Sequence, residues 1–478
     1  MVFASLFFVF VFLTLNLLSQ AILPKPKWKN IAMLIFSLIF YTWTGLRCTL
    51  LMLLMVFICK VGAISIEEAG KNGKSKKIPL TITIFLCLAI LGVFKYAGFA
   101  VSTAALITGE NYTIPEIVLP IGISFYTFQL ISYVVDVYRS EISAQRSYWR
   151  LLLYACLFHQ CIAGPIVRYK DVQKDLDERK MNVQDAGEGV RRFCTGLMKK
   201  AVIANSCSII ADRLLDVGAD TLTQTSSAGI FLGLFALHLR NYFDFSGYSD
   251  MAIGMGLICG LHYKENFNYP YISQSVSEFW RRWHISLCTF FRDYLYFPLG
   301  GSRCSVPKQL RNLFVVWFLT GLWHGAGWNY ILWGLYWGVM LVIQKFVVKN
   351  HLSWLPAPIK ILGVTLISIL GLTLFQFTDL TLMIIALKGL FMMNGNPLTD
   401  FGTELIFKNN IYLLAFGILA ATPIFKIMRD RLKKMSETST LFFMVYAAGE
   451  ILIPLVLFVL AVNALAGNSY NPFIYFQF

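Results

Sequence analysis

Long apolar runs alternate with short polar loops along almost the whole chain. A run of about 20 apolar residues is long enough to cross a bilayer as one helix. Runs of roughly this kind predict membrane spans over residues 1–24, 31–46, 48–66, 78–98, 115–137, 196–215, 228–262, 312–344, 358–393, 410–427 and 440–466. No polar interval is long enough to bury a core of its own, so we expect a single domain, residues 1–478, of the all-α polytopic membrane class with about 11 crossings.

The order of apolar and charged residues at the N-terminus predicts an uncleaved first span. The first apolar run carries no charge and is followed by Lys25, Lys27 and Lys29. A cleaved signal peptide has the opposite order, with positive charge before the apolar run. We therefore expect a multi-pass protein of the plasma (inner) membrane with its N-terminus outside. Arg47 then lies outside and the basic loop 71–77 inside, in agreement with the positive-inside rule.

One apolar run is too short and too broken for a simple crossing. Residues 151–167 contain His159, Gly164 and Pro165. Proline interrupts a helix, and a run of this length is shorter than most membrane spans. We predict that this segment is re-entrant.

Composition changes the interpretation of the positive charge. Of the 478 residues, 57% are hydrophobic and only 14% are charged, yet the formal net charge is +15. In a soluble protein this charge would suggest nucleic acid as a partner, but here Lys and Arg lie in short loops, where they fix orientation. The lipid bilayer is therefore the expected partner. The ten cysteines include no C-x-x-C pair and most lie in apolar runs, so neither a metal site nor a disulfide framework is predicted.

Two carboxylates interrupt the predicted span 228–262. The stretch NYFDFSGYSDMAIGMG contains Asp244, Ser246 and Asp250. Ionisable groups at membrane depth need partners or water. These three residues are therefore predicted to form either the wall of a cavity or a buried polar network, with a direct role in catalysis as a less favoured alternative.

The segment EFWRRWHISLCTFFRDYLYFPLGG alternates aromatic and basic residues. An amphipathic interfacial helix with snorkelling arginines accounts for most of this pattern. A basic and aromatic mouth would also suit a phosphorylated donor such as coenzyme A, since arginine pairs bidentately with phosphate. On that interpretation Arg281, Arg282 and Trp283 bind the donor. Neither interpretation explains His284.

The stretch LTGLWHGAGWNYILWG contains the most conspicuous polar residue of the chain. His324 is the one histidine within 33 residues that contain no Asp, Glu, Lys or Arg. Glycines surround it, tryptophans including Trp323 flank it, and Asn329 follows shortly after. A buried histidine is often a hydrogen-bonded structural residue. The glycines favour function, however, because they let a substrate approach closely, and a neutral imidazole can take a proton from an alcohol.

Several of these motifs together resemble the membrane-bound O-acyltransferase (MBOAT) superfamily. The likeness rests on FWRRWHISL, LTGLWHGAGWNYILWG, FDFSGYSDMAIG, FHQCIAGPIVRY and the terminal NPFIYFQF. It is strongest to the bacterial branch that O-acetylates alginate. The opening residues, through SLIFYTWTG, also resemble that branch.

The resemblance implies a fold and a chemistry. The fold is a ring of transmembrane helices around a thin core, in which a tunnel from the cytoplasm meets a funnel from outside. His324 matches the catalytic histidine of the family and His284 the second histidine of this branch. The donor is a cytoplasmic thioester, and no tightly bound cofactor is expected. Phe375, Gln376 and Phe377 stand where many relatives have an arginine-containing segment, so a basic residue has no counterpart there.

These expectations combine into a membrane O-acetyltransferase. It would take acetyl from acetyl-CoA for transfer to a cell-surface polysaccharide, with a separate extracytoplasmic hydrolase-like acetyltransferase as partner. His324 would act as general base or carry the acyl group, and His284 would orient it, polarise the substrate or share the proton. Trp323 and Asn329 would line the tunnel. The alternatives are D-alanyl transfer to teichoic acid from a carrier protein, and a polysaccharide exporter or flippase, whose typical internal repeat is not found.

Overall fold

The computed structural model describes residues 2–467 without 111, 114–116, 163, 217, 218 and 350, and within these residues it contains helices and no strands. The first half of the chain forms α1 (Thr14–Ile22), α2 (Pro26–Thr42), α3 (Leu46–Lys71), α4 (Lys77–Thr108), α5 (Ile123–Tyr138), α6 (Tyr148–Cys156), α7 (Tyr169–Glu178), α8 (Val183–Met198), α9 (Asn205–Leu214) and α10 (Ala219–Gln224). The second half forms α11 (Ser227–Ile258), α12 (Val276–Arg282), α13 (Ile285–Phe291), α14 (Val306–His324), α15 (Trp328–Val342), α16 (Ala357–Gln376), α17 (Leu380–Leu390), α18 (Phe401–Ala420), α19 (Ile424–Ser436) and α20 (Thr440–Gly467). The predicted all-α class is confirmed.

Short segments of other helix types connect or extend these helices. Four are π-helical: Phe8–Leu13, Lys199–Ala204, Arg292–Tyr296 and Ile343–Val348. One, Pro270–Ile272, is a 3₁₀ turn. The segment Lys199–Ala204 joins α8 to α9 without a loop.

Several apolar helices make the chain a multi-pass membrane protein. Among the described residues, five helices are long and apolar enough to cross a membrane: α3, α4, α15 with its π-helical extension, α16 and α20. Helices α18 and α19 would add a sixth only as a pair bent by 60°. The predicted run 312–344 is two helices, α14 and α15, and 358–393 is likewise divided between α16 and α17. The total of about 11 crossings stays a prediction.

The predicted re-entrant segment is a short helix followed by buried irregular chain. Helix α6 has nine residues, about 14 Å at the usual rise and too short to cross. Beyond it, side chains hydrogen-bond to the backbone: Ser37 Oγ accepts from Phe158 N at 3.2 Å, and Tyr154 OH donates to Val167 O at 2.8 Å. Irregular backbone needs such partners at membrane depth.

Helices α8 and α11 cross at glycines. A Cβ at Gly247 would lie 2.7 Å from the carbonyl oxygen of Gly196, and a Cβ at Gly254 would lie 2.6 Å from that of Gly189. Glycine therefore permits this close approach, as is common between membrane helices. The contact brings the basic residues after Gly189 against the carboxylates of α11.

Helices α14 and α15 form a second close pair and carry an aromatic cluster. A Cβ at Gly321 or at Gly334 would collide with a carbonyl of the facing helix. Beside this contact, Trp280 of α12 packs edge-on against Trp317 at 4.6 Å and against Trp337 at 5.0 Å between ring centroids. This cluster places α12 directly beside the α14–α15 pair.

Candidate active site

His324 is the last residue of α14 and lies where the helix pair breaks. The chain is extended at Gly325 and Gly327 before α15 begins at Trp328. A Cβ at Gly325 would collide with the ring of Tyr330. Glycine at this position therefore lets the chain turn while α15 stays close, which fixes His324 at the tip of α14.

Aromatic rings hold the His324 imidazole from several sides. Its centroid lies 4.7 Å from that of Trp333, 4.9 Å from that of Trp323 and 5.4 Å from that of Phe375. The side chain is only 7% exposed. Within the part of the chain that the structure describes, its buried Nδ1 has no hydrogen-bond partner. The packing therefore does not support a hydrogen-bonded structural histidine.

His324 lines two cavities. The first, the aromatic cavity, has a volume of about 70 Å³ and is bordered by His238, Asn241, Phe245, Phe279, Trp280, Trp283, His324, Trp333, Trp337, Ser368, Leu372 and Phe375. The second, the lysine cavity, has a volume of about 20 Å³ and is bordered by Lys95, Leu119, Pro120, Gly122, Ile123, Ser124, Phe125, Ile162, Trp323 and His324. The His324 imidazole can therefore contact a ligand in either cavity.

His284 is held in one tautomer by Asn266. Its Nδ1 lies 3.1 Å from Asn266 Oδ1, and that oxygen also accepts from the backbone N–H of Ser286 at 3.2 Å. Because Asn266 Oδ1 acts as an acceptor, the His284 Nδ1 carries the hydrogen and Nε2 is left as a base. His284 thus has a buried basic nitrogen, Nε2, with no hydrogen-bond partner among the described residues.

The backbone of His284 is strained, and its imidazole lies close to the ring of Trp323, which also packs against His324. Its φ of 42° lies in the left-handed region, which histidine adopts uncommonly. Such outliers often mark functional positions. The His284 ring is packed edge-on against Phe245 at 4.6 Å and lies 6.0 Å from the ring of Trp323. Trp323 therefore contacts both histidines, and it also borders the lysine cavity.

Comparison with known proteins agrees with the motifs. The profile of the MBOAT, membrane-bound O-acyltransferase, family matches residues 139–385, more than half of the chain. The chain belongs to the membrane-bound O-acyltransferase family. A probable alginate O-acetylase of Azotobacter vinelandii is 42% identical over 72% of this chain and 69% of its own length. A probable alginate O-acetylase of Pseudomonas putida is 35% identical over 100% of both chains, and a peptidoglycan O-acetyltransferase of Helicobacter pylori is 30% identical over 88% of this chain and 86% of its own.

In this O-acyltransferase the carboxylates of α11 belong to a buried network. Asp250 pairs with Arg192 at 2.9 Å and with Lys199 at 2.7 Å, and Asp244 pairs with Lys200 at 2.7 Å. Neither carboxylate, nor the buried Ser246, lines either cavity that His324 lines. Each acid has a basic partner, from α8 or from the π-helical segment Lys199–Ala204 that continues it, and this favours the network over the cavity wall.

Asn329 and Phe375 connect the two helices that follow His324, α15 and α16. The Asn329 amide donates to the carbonyl oxygen of Phe375 at 3.0 Å and so ties α15 to α16. Asn329 itself does not border either cavity, although the sequence suggested that it would. Phe375 packs against His324 as an apolar wall of the site.

Of the three predicted donor-binding residues, Trp283 reaches the aromatic cavity. Arg282 pairs with Glu278 at 2.9 Å and donates to the carbonyl oxygen of Asn268 at 3.0 Å. Arg281 is exposed on the same short helix, α12. Its role in donor binding stays a prediction, as does that of Arg282.

Several polar groups that border the cavities were not predicted from the sequence, among them Lys95, His238 and Ser368. Lys95 borders the lysine cavity, and His238 and Ser368 border the aromatic cavity, where His238 Nε2 lies 3.0 Å from Ser368 Oγ. Lys95 and His238 are ionisable residues within predicted spans, which is the signal that drew attention to His324. Asn266, the partner of His284, lies in a polar loop and gave no such signal. The motif NPFIYFQF lies outside the described residues.

Proposed function

We propose that this O-acyltransferase transfers an acetyl group from cytoplasmic acetyl-CoA for O-acetylation of an exported or cell-wall polysaccharide. The observation that carries the proposal is that His324 borders both the aromatic and the lysine cavity. A group that takes a proton from one substrate while the other is attacked must be reachable by both. The names of the relatives, alginate O-acetylase and peptidoglycan O-acetyltransferase, support acetyl as the acyl group and a polysaccharide as the acceptor.

In this proposal His324 is the general base. Its imidazole removes the proton from an acceptor hydroxyl, and the oxygen attacks the thioester carbonyl. The C–O bond forms, the C–S bond breaks, and the departing thiolate takes the proton from the imidazolium. The aromatic walls exclude water, which protects the thioester and strengthens electrostatic interactions in the site.

His284 acts beside His324 and shares the proton or orients the substrate. Asn266 keeps its Nδ1 protonated, so its Nε2 is available as an acceptor. Trp323, which packs against both rings, keeps the two imidazoles in one aromatic environment.

The donor reaches His324 through the aromatic cavity. Trp280 and Trp283 place α12 at this cavity, and Arg281 and Arg282 on the same helix are suited to the phosphates of coenzyme A. The positive-inside rule puts this basic helix on the cytoplasmic face of the plasma (inner) membrane, with the N-terminus outside. The acceptor side then faces a separate extracytoplasmic hydrolase-like acetyltransferase, which completes the transfer to the polysaccharide.

The test is acetyl transfer by membranes that contain the parent or His324→Ala. Labelled acetyl-CoA is supplied from the cytoplasmic side, and label in the cell-envelope polysaccharide is counted at matched protein level. Loss of a general base lowers rates by roughly 10²–10⁴-fold, so His324→Ala is expected to lose at least about 100-fold. His262→Ala changes an exposed histidine and is the matched control.

Other outcomes point to other functions. Near-parental activity of His324→Ala would make His324 structural. Label from a D-alanyl carrier protein, with none from acetyl-CoA, would replace acetyl transfer by D-alanyl transfer. Loss of the surface polysaccharide itself from cells that lack the protein would favour an exporter.

A further inference from the structure

Lys95 is a buried ionisable residue beside His324. It lies in α4 with 9% of its surface exposed. Its ammonium donates to Ser124 Oγ at 3.2 Å and to the backbone carbonyl oxygen of Trp323, and it lies 5.9 Å from the centre of the Trp323 ring. Lys95 and His324 border the same cavity. An ionisable amine thus lies beside the proposed base.

A purely structural role accounts for only part of this arrangement. The last carbonyls of a helix lack partners within it, and α4 supplies two donors to the end of α14. The first is Lys95, to Trp323 O, and the second is the hydroxyl of Tyr96, to Leu322 O at 2.6 Å. Tyr96 does this without a charge. Capping α14 therefore does not require an ammonium, whose burial at membrane depth is costly.

The charge of Lys95 is not matched by a carboxylate. No carboxylate oxygen of the described residues lies within 4.0 Å of its ammonium, in contrast to Lys200, which pairs with Asp244. An ammonium has three N–H donors, and the two hydrogen bonds above use two of them. The remaining donor is available to a ligand in the lysine cavity.

The position of Lys95 along α4 places the lysine cavity toward the extracytoplasmic side. Lys95 follows Lys77, the first residue of α4, by 18 positions, or about 27 Å along the helix. The basic loop before Lys77 lies inside by the positive-inside rule. If α4 starts at the inner face, Lys95 lies beyond the middle of a hydrocarbon core about 30 Å thick, on the side from which an exported acceptor arrives.

We propose that the lysine cavity is the acceptor subsite and that Lys95 holds the acceptor hydroxyl beside His324 and stabilises the negative charge that develops on its oxygen. The inference rests on the proposed function. As His324 removes the proton and the C–O bond forms, Lys95 keeps its own protons and supplies a hydrogen bond and a positive charge. Preorganised groups of this kind act most strongly where water is excluded.

Three substitutions separate the charge from the hydrogen bond to α14. Lys95→Gln keeps a donor for Trp323 O but removes the charge, Lys95→Arg keeps both, and Lys95→Met keeps neither. Tyr96→Phe removes the neighbouring bond to α14 and is the matched control. Rates are measured with labelled acetyl-CoA and the cell-envelope polysaccharide as acceptor, together with the KM for acetyl-CoA and the thermal unfolding midpoint in detergent.

We expect Lys95→Gln and Lys95→Met to lose roughly 10²–10³-fold in kcat, the usual effect of removing one such donor. The KM for acetyl-CoA should not change, because the donor uses the other cavity. Lys95→Arg should retain at least about a tenth of the activity, and Tyr96→Phe should stay within about threefold of the parent, since neither loses the cation.

Two results would overturn the inference while leaving the proposed function intact. One is an active Lys95→Gln variant alongside an inactive His324→Ala. The other is an equal loss in Lys95→Gln and Tyr96→Phe, or a Lys95→Gln variant that does not reach the parental unfolding midpoint, since either result would reduce Lys95 to a cap of α14. A parent that transfers no label from acetyl-CoA would instead contradict the proposed function, and the acceptor subsite with it.

Discussion

The crossing of α8 and α11 and the break between α14 and α15 both bury ionisable side chains among apolar helices, but they treat them differently. At the crossing, Asp244 and Asp250 each lie within 3 Å of basic groups from the neighbouring helix. At the break, neither the His324 Nδ1 nor the His284 Nε2 has a hydrogen-bond partner among the described residues. Both regions depend on glycines for close backbone contact.

The difference separates ionisable groups that are paired within the fold from imidazoles whose buried nitrogens have no hydrogen-bond partner among the described residues. A buried charge that is fully paired stabilises one arrangement, and removing its partner is strongly destabilising. A neutral imidazole that borders a cavity contributes little to folding but can exchange a proton. Burial of an ionisable residue in a membrane protein is therefore not by itself evidence of catalysis.

The largest effect on stability is expected at the crossing of α8 and α11. Lys200→Met removes the ammonium that lies 2.7 Å from the Asp244 carboxylate, and we expect a loss of about 3–5 kcal/mol in the free energy of unfolding, as for other broken buried pairs. Lys199→Met is the matched control, because Arg192 still pairs with Asp250 in that variant. Unfolding of both variants in detergent should be compared with that of the parent. Equal losses in the two variants would contradict the expectation that Asp244 depends on Lys200 more than Asp250 depends on Lys199.

The next largest effect is expected on the rate of acyl transfer, at the break between α14 and α15. If His284 and His324 act on one acyl transfer, their losses are not additive. We expect His284→Ala to lose roughly 10²-fold in rate, and the double variant to be scarcely slower than His324→Ala alone. Acetyl transfer should be compared across the three variants at matched protein level, with unfolding midpoints near that of the parent. Multiplicative losses would mean that His284 serves folding or donor docking and that His324 works without it.

A smaller effect is expected at α12. Replacing Arg281 and Arg282 together with Gln should raise the KM for acetyl-CoA several-fold and make the remaining activity less sensitive to salt, because the removed charges act on phosphate through solvent. Arg303 and Lys308 are exposed on the next segment, and their replacement with Gln gives a control with the same change in net charge. If both double variants have the parental KM, the arginines of α12 serve orientation in the membrane.

The smallest effect concerns His262, an exposed counterpart of the buried histidines. Its Nδ1 lies 3.1 Å from Asp175 and its Nε2 lies 3.2 Å from Asp185. Partial burial lowers the pKa of His262, but the hydrogen bonds and charges of the two carboxylates outweigh this and raise it. A raised folded-state pKa stabilises the protein below the unfolded pKa of about 6.5, and this contribution is lost as the pH rises through the folded pKa.

His262→Gln should therefore lower the unfolding midpoint slightly at about pH 5.5, where the imidazole is charged in both states, and less as the pH rises above the folded pKa. Thermal unfolding of the parent and the variant across this pH range measures the difference. A gap that widens with increasing pH would have the wrong sign for a histidine held between two acids.

The sequence predicted the features that depend on residues close together in the chain. The length of the apolar runs gave the all-α membrane class, and the isolation of His324 in an uncharged stretch marked the residue that borders both cavities. Lys95 carried the same signal within the predicted span 78–98 and was overlooked. The partners of Asp250, the approach of Asn266 to His284 and the subdivision of residues 312–344 could not be predicted, because they depend on how distant helices pack.

The small volume of the lysine cavity has an electrical consequence. At about 20 Å³ it has room for about one water, whereas proton conduction through a protein needs a continuous chain of hydrogen-bonded waters or side chains. An enzyme that admitted substrates from both faces of a membrane through a wide, water-filled passage would let ions leak down their gradient. If the proposed function is right, the narrow space around His324 and Lys95 would limit ion leakage while an acyl group passes from one face of the membrane to the other.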